Sequence, residues 1–142
     1  RRQRQMCIRD RDIKIFLSDP YGSALYNYYK KDELKAEGNS ITEGIGQGRI
    51  TENLKYLVAD DAVRINDKEA LEMIFKLLKE EGLFLGGSSG INVCGAIKMA
   101  EKLGPGHNIV TILCDSGQRY QSKIWNKSFL KSKDLPFPSW ME

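Results

Sequence analysis

Two turns rich in glycine and serine carry residue types that could bind a small ligand. The first is Gly86-Gly87-Ser88-Ser89-Gly90, which follows the apolar residues 83–85 and precedes an apolar-periodic segment ending near Leu103. A strand, a glycine turn and a helix start in this order bring unpaired backbone N–H groups and the positive end of a helix dipole together. Glycines allow close approach of a flat or anionic ligand, and serine hydroxyls donate and accept hydrogen bonds. A tight turn that binds nothing explains the same residues equally well.

The second turn is Asp115-Ser116-Gly117, at the end of the apolar run Asn108–Asp115. That run is typical of a fully buried parallel strand. From residue 60 onward the pattern alternates between strands and helices, which favours an α/β fold with a mostly parallel sheet. Ligands in such sheets collect beyond the carboxyl ends of the strands. Since both turns follow predicted strands, the sequence predicts a site where they meet.

The remaining pattern predicts the elements that position these turns. The clearest is a helix over residues 67–81, capped by Asn66 or Asp67 and ended by Gly82. The other predictions are a strand at Ile13–Leu17 stopped by Ser18-Asp19-Pro20, a helix over 22–36, strands at 60–65 and 83–85, an exposed turn at His107, two helical pieces over 118–131 broken near Asn126, and an irregular tail from Asp134.

Residues 37–50 contain four glycines and form neither a good helix nor a good strand. A long irregular loop inside a compact domain is usually functional or disordered. Its centre, Gly44-Ile45-Gly46-Gln47-Gly48, lacks the spacing of the dinucleotide-binding fingerprint, so a Rossmann site is rejected.

Composition excludes several function classes. No apolar run approaches the roughly 18 residues of a membrane span, and an odd three cysteines with one histidine give no zinc spacing. Unpaired thiols favour a cytoplasmic protein. Five arginines in residues 1–11 account for the net charge of +3, so the body is near neutral and nothing favours nucleic-acid binding. We therefore predict a foreign or disordered basic leader at 1–11 and one domain at 12–142.

Three stretches together resemble the C-terminal part of the cysteine synthase family. They are SITEGIGQGRITENL from residue 40, LGGSSGINV with AIKMAEKLGPG from residue 85, and ILCDSGQRYQSKIWN from residue 112. This family belongs to the fold-type-II pyridoxal-phosphate enzymes. The resemblance covers roughly residues 13–140 and implies an α/β fold, a partial three-layer sandwich with a mostly parallel sheet. It also implies pyridoxal 5'-phosphate as cofactor.

The resemblance assigns cofactor-binding roles to specific residues. Ser88, directly after Gly87, matches the serine whose hydroxyl meets the pyridine nitrogen of the cofactor, and Ser89 is the neighbouring alternative or a helix N-cap. The loop over the cofactor face matches Gly44, Ile45 and Gly46, where a side chain on either glycine would collide with the ring. Cys114 and Asp115 match the turn beside the ring edge. Many relatives have proline or serine at these two positions, which leaves the substrate preference open.

The implied reaction is β-replacement on an O-acetylserine-like substrate, with sulfide as nucleophile, to give L-cysteine in a homodimeric enzyme. A cysteine desulfhydrase or a cystathionine β-synthase-like lyase is the alternative within the family. The lysine that binds the cofactor covalently lies N-terminal to this region in the family, so the resemblance implies a fragment that is inactive by itself. Outside the family, two functions remain open: a small-ligand or phosphate-binding module using the helix start at Gly86–Gly90, and an interaction domain using the tyrosine-rich helix over 22–36 and the tail with Trp125 and Trp140.

Overall fold

The computed structural model describes residues 13–141, so the predicted leader at 1–11 lies outside the described residues. Within residues 13–141 two parallel strands are combined with helices, which confirms the α/β class, but the alternation predicted from residue 60 ends after the helix at residues 67–81. The elements are β1 (Phe16–Pro20), α1 (Leu25–Lys31), β2 (Asp61–Ile65), α2 (Asp67–Glu81), α3 (Gly87–Leu103), a 3₁₀ helix (Gly117–Tyr120) and α4 (Lys127–Ser132).

β1 and β2 form a small parallel sheet, with Phe16 opposite Asp61 at the start of the pairing. Helix α3 lies directly against β1. The Ser18 hydroxyl donates to the carbonyl of Ile91 at 2.8 Å, and a Cβ on Gly95 would lie 2.3 Å from the Ser18 oxygen. The helix can approach the strand this closely because position 95 carries no side chain.

Helix α2 has the predicted boundaries because local signals specify both ends. The Asn66 side chain accepts the N–H of Glu69 at 2.9 Å, and the Glu69 carboxylate accepts the N–H of Asn66 at 3.1 Å. This reciprocal pair is a capping box. Gly82 ends the helix with a φ of +69°, a left-handed conformation that glycine adopts without strain.

The apolar residues of α2 and α3 face two core clusters. The larger joins α2 to the chain after residue 117, and the smaller lies between β2, α2 and α3. Their buried members are Leu71, Ile74, Phe75, Tyr120, Ile124, Leu130 and Met141 in the first, and Ile65, Ala70, Ile91 and Cys94 in the second.

The first strand lies three residues later than the predicted Ile13–Leu17. Its last residues include Asp19, which the sequence analysis assigned to the turn. The Asp19 carboxylate is buried because it accepts the backbone N–H of Tyr26 at 2.8 Å. Pro20 ends the strand, where a missing N–H is tolerated.

The predicted helix over 22–36 is also shorter, because α1 stops before Asp32. That residue has a φ of 58°, and aspartate tolerates this left-handed conformation better than most residues. The loop over 37–50 contains no helix or strand, as predicted. The break at Asn126 is confirmed too, since its side chain caps α4 by accepting the N–H of Phe129 at 2.9 Å.

Two predicted strands do not form. Residues 83–85 contribute one antiparallel bridge, between Leu85 and Ser116. Asn108–Asp115, predicted to be a buried strand, is irregular, with Val110 91% exposed and Ile112 71% exposed. A buried parallel strand needs neighbours on both sides, and in the part of the chain that the structure describes β1 and β2 pair only with each other.

Within residues 13–141, no helix is long and apolar enough to cross a membrane. The same residues contain no cluster of three or more histidine, cysteine or acidic side chains suited to a metal ion. His107 is exposed in its turn, as predicted.

Candidate functional site

The two glycine-containing turns lie in direct contact, as their positions after predicted strands suggested. The backbone N–H of Gly86 donates to the carbonyl of Asp115 at 2.8 Å, and the N–H of Gly117 donates to the carbonyl of Phe84 at 2.9 Å. An antiparallel bridge lies between these two bonds. The turns therefore fix each other through backbone groups, which makes their relative position independent of most side chains.

We call residues 84–90 together with 114–117 the turn platform. Ser89 adds a further bond across it, because its buried hydroxyl accepts the backbone N–H of Cys114 at 3.0 Å. The alternative role of Ser89 as a helix N-cap is wrong, since Gly86 occupies that position. Ser89 instead joins the start of α3 to the second turn.

Ser88 is the polar group of the turn platform that most needs explaining. It is 4% exposed, and its hydroxyl oxygen has no hydrogen-bond partner among the described residues. A buried hydroxyl without a partner costs free energy. Ser88 is the second residue of α3, close to the positive end of the helix dipole. A ligand atom that accepts a hydrogen bond would supply the missing partner.

Asp115 and Cys114 line one side of the turn platform. Cys114 is exposed rather than buried at a strand end, because the preceding run forms no strand. The Asp115 carboxylate accepts the hydroxyl of Tyr120 at 2.6 Å and lies 3.6 Å from the guanidinium of Arg119. The hydrogen bond to the Asp115 carboxylate, together with burial, raises the pKa of Tyr120. The Tyr120 hydroxyl is therefore protonated and acts as a donor at neutral pH.

The three predicted residues of the glycine loop have different surroundings. Gly44 has a φ of +77°, and a Cβ there would meet nothing within 4 Å. Gly46 has a φ of +84°, and a Cβ there would lie 2.8 Å from the ring of Pro20. Ile45 packs against the core cluster that contains Ile91. Gly44 therefore borders open space, whereas packing within the protein already accounts for glycine at position 46.

The glycine loop reaches the turn platform through the residues just before Gly44. A Cβ on Gly87 would lie 2.7 Å from the methyl group of Thr42, so this methyl covers the glycine. Glu43 forms an ion pair with Lys123, which follows the 3₁₀ helix. These contacts bring all three predicted segments to one end of α3.

Two residues that hold this arrangement were not predicted from the sequence. The Asp67 carboxylate accepts the backbone N–H of Ile41 at 2.9 Å, which fixes the glycine loop to α2. The indole N–H of Trp125 donates to the carbonyl of Leu85 at 3.0 Å. Acidic residues are common in the first turn of a helix. The spacing of residues along the chain nevertheless predicts neither of these two hydrogen bonds.

Comparison with known proteins identifies the family. A protein-family model described as "Pyridoxal-phosphate dependent enzyme" matches residues 3–115. The chain belongs to this family. Cysteine synthase 1 of Emericella nidulans is 50% identical over 127 residues, and cysteine synthase 1 of Neurospora crassa is 46% identical over 127 residues. Each alignment covers 87% of this chain and 34% of the relative, so the chain spans about a third of those relatives' length.

A solved family member supports the fold assignment. The O-acetylserine dependent cystathionine beta-synthase from Helicobacter pylori superposes with a TM-score of 0.73 at 32% sequence identity. The superposition covers 84% of this chain and 37% of that protein. This agrees with a C-terminal portion of a fold-type-II pyridoxal-phosphate enzyme and with the small parallel sheet of this chain.

The residues of the turn platform fit the family's cofactor. A pyridine nitrogen is a hydrogen-bond acceptor, and the buried, unpartnered hydroxyl of Ser88 is a donor that needs one. The open space beside Gly44 leaves room for a planar ring to approach the loop. The contact of Thr42 with Gly87 shows that the methyl group already occupies part of the platform surface.

Proposed function

We propose that this chain forms part of a pyridoxal-phosphate dependent cysteine synthase. The reaction is β-replacement on an O-acetylserine-like substrate, with sulfide as nucleophile, to give L-cysteine. The names and identities of the Emericella and Neurospora relatives support this choice of reaction. The structural observation that carries it is the buried Ser88 hydroxyl without a partner, at the start of α3.

In this proposal Ser88 holds the pyridine nitrogen of the cofactor. When bound, pyridoxal phosphate supplies an electron sink for loss of the proton on the substrate α-carbon. A neutral hydroxyl leaves the ring nitrogen largely unprotonated, whereas an aspartate would favour its protonation. The weaker sink suits replacement at the β-carbon more than transamination. Ser89 has its own bond to Cys114 and keeps Ser88 in place.

The other predicted residues have supporting roles. Gly44 keeps a side chain away from the cofactor, Gly87 makes room for the methyl group of Thr42, and Ile45 anchors the glycine loop in the core. Gly46 lets the loop pass close to Pro20. Cys114 and Asp115 border the ring edge, and the bond from Tyr120 fixes the Asp115 carboxylate there. We propose these roles together, because the residues belong either to the turn platform or to the glycine loop that contacts it.

The first experiment tests the chain alone. The family resemblance places the cofactor-linking lysine outside this region, so we expect the 142-residue chain to form no stable lysine linkage. Pyridoxal phosphate would be titrated while absorbance is followed, and the mixture would then be treated with borohydride and digested. A cofactor fixed at one specific lysine in the mass spectrum would contradict this expectation.

The second experiment tests the reaction in a chimera. This chain would replace the corresponding third of Emericella nidulans cysteine synthase 1, to which it is 50% identical. We expect cysteine formation from O-acetylserine and sulfide, and an at least about tenfold loss in Ser88→Ala, by analogy with removal of other buried hydrogen-bond donors at active sites. Ser122→Ala is the control, because Ser122 is exposed. An unchanged cofactor spectrum and turnover in Ser88→Ala would refute the assignment.

A second candidate function is cystathionine synthesis, favoured by the likeness to the Helicobacter pylori protein. The two reactions differ in the nucleophile, which is sulfide in one and a thiol amino acid such as homocysteine in the other. Supplying the same chimera with each nucleophile in turn separates them. A chimera that binds phosphate but converts neither would favour a binding module.

We also infer a cytoplasmic homodimer for the complete enzyme. Cys94 and Cys114 are free thiols, which supports a reducing compartment. Burial raises the pKa of Cys94 to about 11, so that thiol is inert at neutral pH. Light scattering of the chimera tests the dimer, and fractionation of cells that express it tests the location.

A further inference from the structure

Trp125 contacts the backbone of the turn platform at the carbonyl of Leu85. Among the hydrogen bonds of residues 13–141, no other side chain donates to that carbonyl. Its indole N–H donates to the carbonyl of Leu85 at 3.0 Å. The ring is fixed by two aromatic neighbours, with its centroid 4.7 Å from Phe84 and 5.4 Å from Phe75. A Cβ on Gly117 would lie 2.7 Å from the indole nitrogen, so glycine at that position makes room for the bond.

The bond from Trp125 holds one end of a peptide group whose other end is also held. The carbonyl of Leu85 and the N–H of Gly86 belong to the same planar unit. That N–H donates to the carbonyl of Asp115 at 2.8 Å. With both ends bonded, the peptide plane cannot rotate without breaking a hydrogen bond. Gly86 is the N-cap of α3, so this plane sets the direction in which the helix starts.

We propose that Trp125 is a positioning residue that fixes the hydroxyl of Ser88 through the Leu85–Gly86 peptide. Ser88 follows that peptide by two residues and has no partner of its own among the described residues. Its position therefore depends on the backbone that carries it. The cofactor role of Ser88 rests on the proposed function, but the backbone restraint does not.

The first test measures the restraint in the 142-residue chain. Trp125→Phe keeps an aromatic ring between Phe84 and Phe75 and removes the N–H donor together with two carbons of the indole, the same atoms that the control Trp140→Phe loses. We expect amide exchange at Gly86 to rise about three- to tenfold, the range that loss of one hydrogen bond allows. The amide of Ile74, in the middle of α2, should not change. The control is Trp140→Phe, because Trp140 is partly exposed and packs on Phe75.

An unchanged amide at Gly86, or an equal rise at Gly86 and Ile74, would overturn the proposal. The first outcome would mean that the Asp115 carbonyl suffices to hold the peptide. The second would mean that Trp125 stabilises the whole fold and positions nothing in particular. Neither outcome depends on cofactor binding.

The second test asks whether Trp125 acts through Ser88. In the chimera, Trp125→Phe should lower kcat about threefold or more, shift the absorbance of the bound cofactor and leave KM nearly unchanged. In a Ser88→Ala background the same change should have little further effect, because residues that act through one contact are not additive. Additive losses would contradict the proposal. If Ser88→Ala itself has no effect, the proposed function fails while the exchange result still decides the restraint.

Discussion

The Ser89 hydroxyl accepts the backbone N–H of Cys114 at 3.0 Å, whereas the hydroxyl of its neighbour Ser88 has no partner among the described residues. Both side chains are buried at the start of α3. Two adjacent serines therefore have different tasks. Ser89 connects the two turns, and Ser88 is the group that we propose meets a ligand.

This difference predicts opposite effects on the stability of the chain without cofactor. Ser89→Ala leaves the N–H of Cys114 without its acceptor and should lower the free energy of unfolding by about 1–2 kcal/mol. Ser88→Ala removes an unsatisfied hydroxyl and should be neutral or slightly stabilising. Urea unfolding followed by circular dichroism measures both variants. Equal destabilisation by the two substitutions would mean that Ser88 has a bond within the chain.

The contact between α2 and α3 predicts a large effect at Gly90. A Cβ there would lie 2.3 Å from the carbonyl oxygen of Ala70 and 2.9 Å from a methyl of Ile74. Gly90→Ala therefore forces the helices apart and should cost about 2–3 kcal/mol of unfolding free energy, as for overpacked cores. Gly48→Ala is the matched control, because a Cβ there meets nothing within 4 Å. Thermal unfolding of the two variants compares them, and similar melting temperatures would refute the contact.

The parts of the fold that the sequence predicts well depend on local signals. Helix α2 has a capping box at Asn66 and a left-handed glycine at Gly82, both encoded within a few residues of its ends. The break at Asn126 is another cap. The two turns meet as predicted but for another reason, because neither predicted strand forms and an antiparallel bridge between Leu85 and Ser116 joins them.

The parts that the sequence misses depend on distant neighbours. An apolar run such as Asn108–Asp115 becomes a strand only where other strands pair with it, and among residues 13–141 β1 and β2 pair only with each other. The predicted end of β1 at Leu17 was wrong because the buried Asp19 carboxylate has a partner in the N–H of Tyr26, which spacing cannot reveal. The separate roles of Ser88 and Ser89 likewise depend on which hydroxyl meets Cys114.

The exposed apolar run predicts self-association of the chain. Val110 is 91% exposed and Ile112 is 71% exposed on a segment of high β-propensity with no strand partner among the described residues. The double variant Val110→Lys, Ile112→Lys should raise the monomer fraction in sedimentation velocity and change the unfolding free energy by less than about 0.5 kcal/mol. The double variant Leu34→Lys, Val58→Lys, at residues 49% and 80% exposed in other segments, adds the same charge and is the control. An equal gain of monomer in the control would mean that net charge alone keeps the chain dispersed.

The last prediction concerns acid stability, which depends on Asp61 at the start of β2. Its carboxylate, 10% exposed, forms ion pairs with Lys30 of α1 and Lys102 of α3. Hydrogen bonds from these two lysines hold the pKa of Asp61 well below its usual range. A carboxyl whose pKa is lower in the folded chain stabilises the fold at pH values above its unfolded pKa, about 4. That contribution is lost as the pH falls through the lowered folded value.

We therefore expect Asp61→Asn to lower the unfolding free energy by about 1 kcal/mol at pH 7, since the pairs lie near the surface. The difference from the unsubstituted chain should shrink as the pH is lowered from about 4 toward the depressed pKa. Urea unfolding at stepped pH measures it. Glu80→Gln is the control, because Glu80 pairs at 3.9 Å with Lys76 on the exposed face of α2 and should change stability by less than about 0.5 kcal/mol. A difference in unfolding free energy between Asp61→Asn and the unsubstituted chain that stays constant from pH 7 to the acid transition would contradict this expectation. Position 61 would then join α1, β2 and α3 through the shape of its side chain and not through its charge.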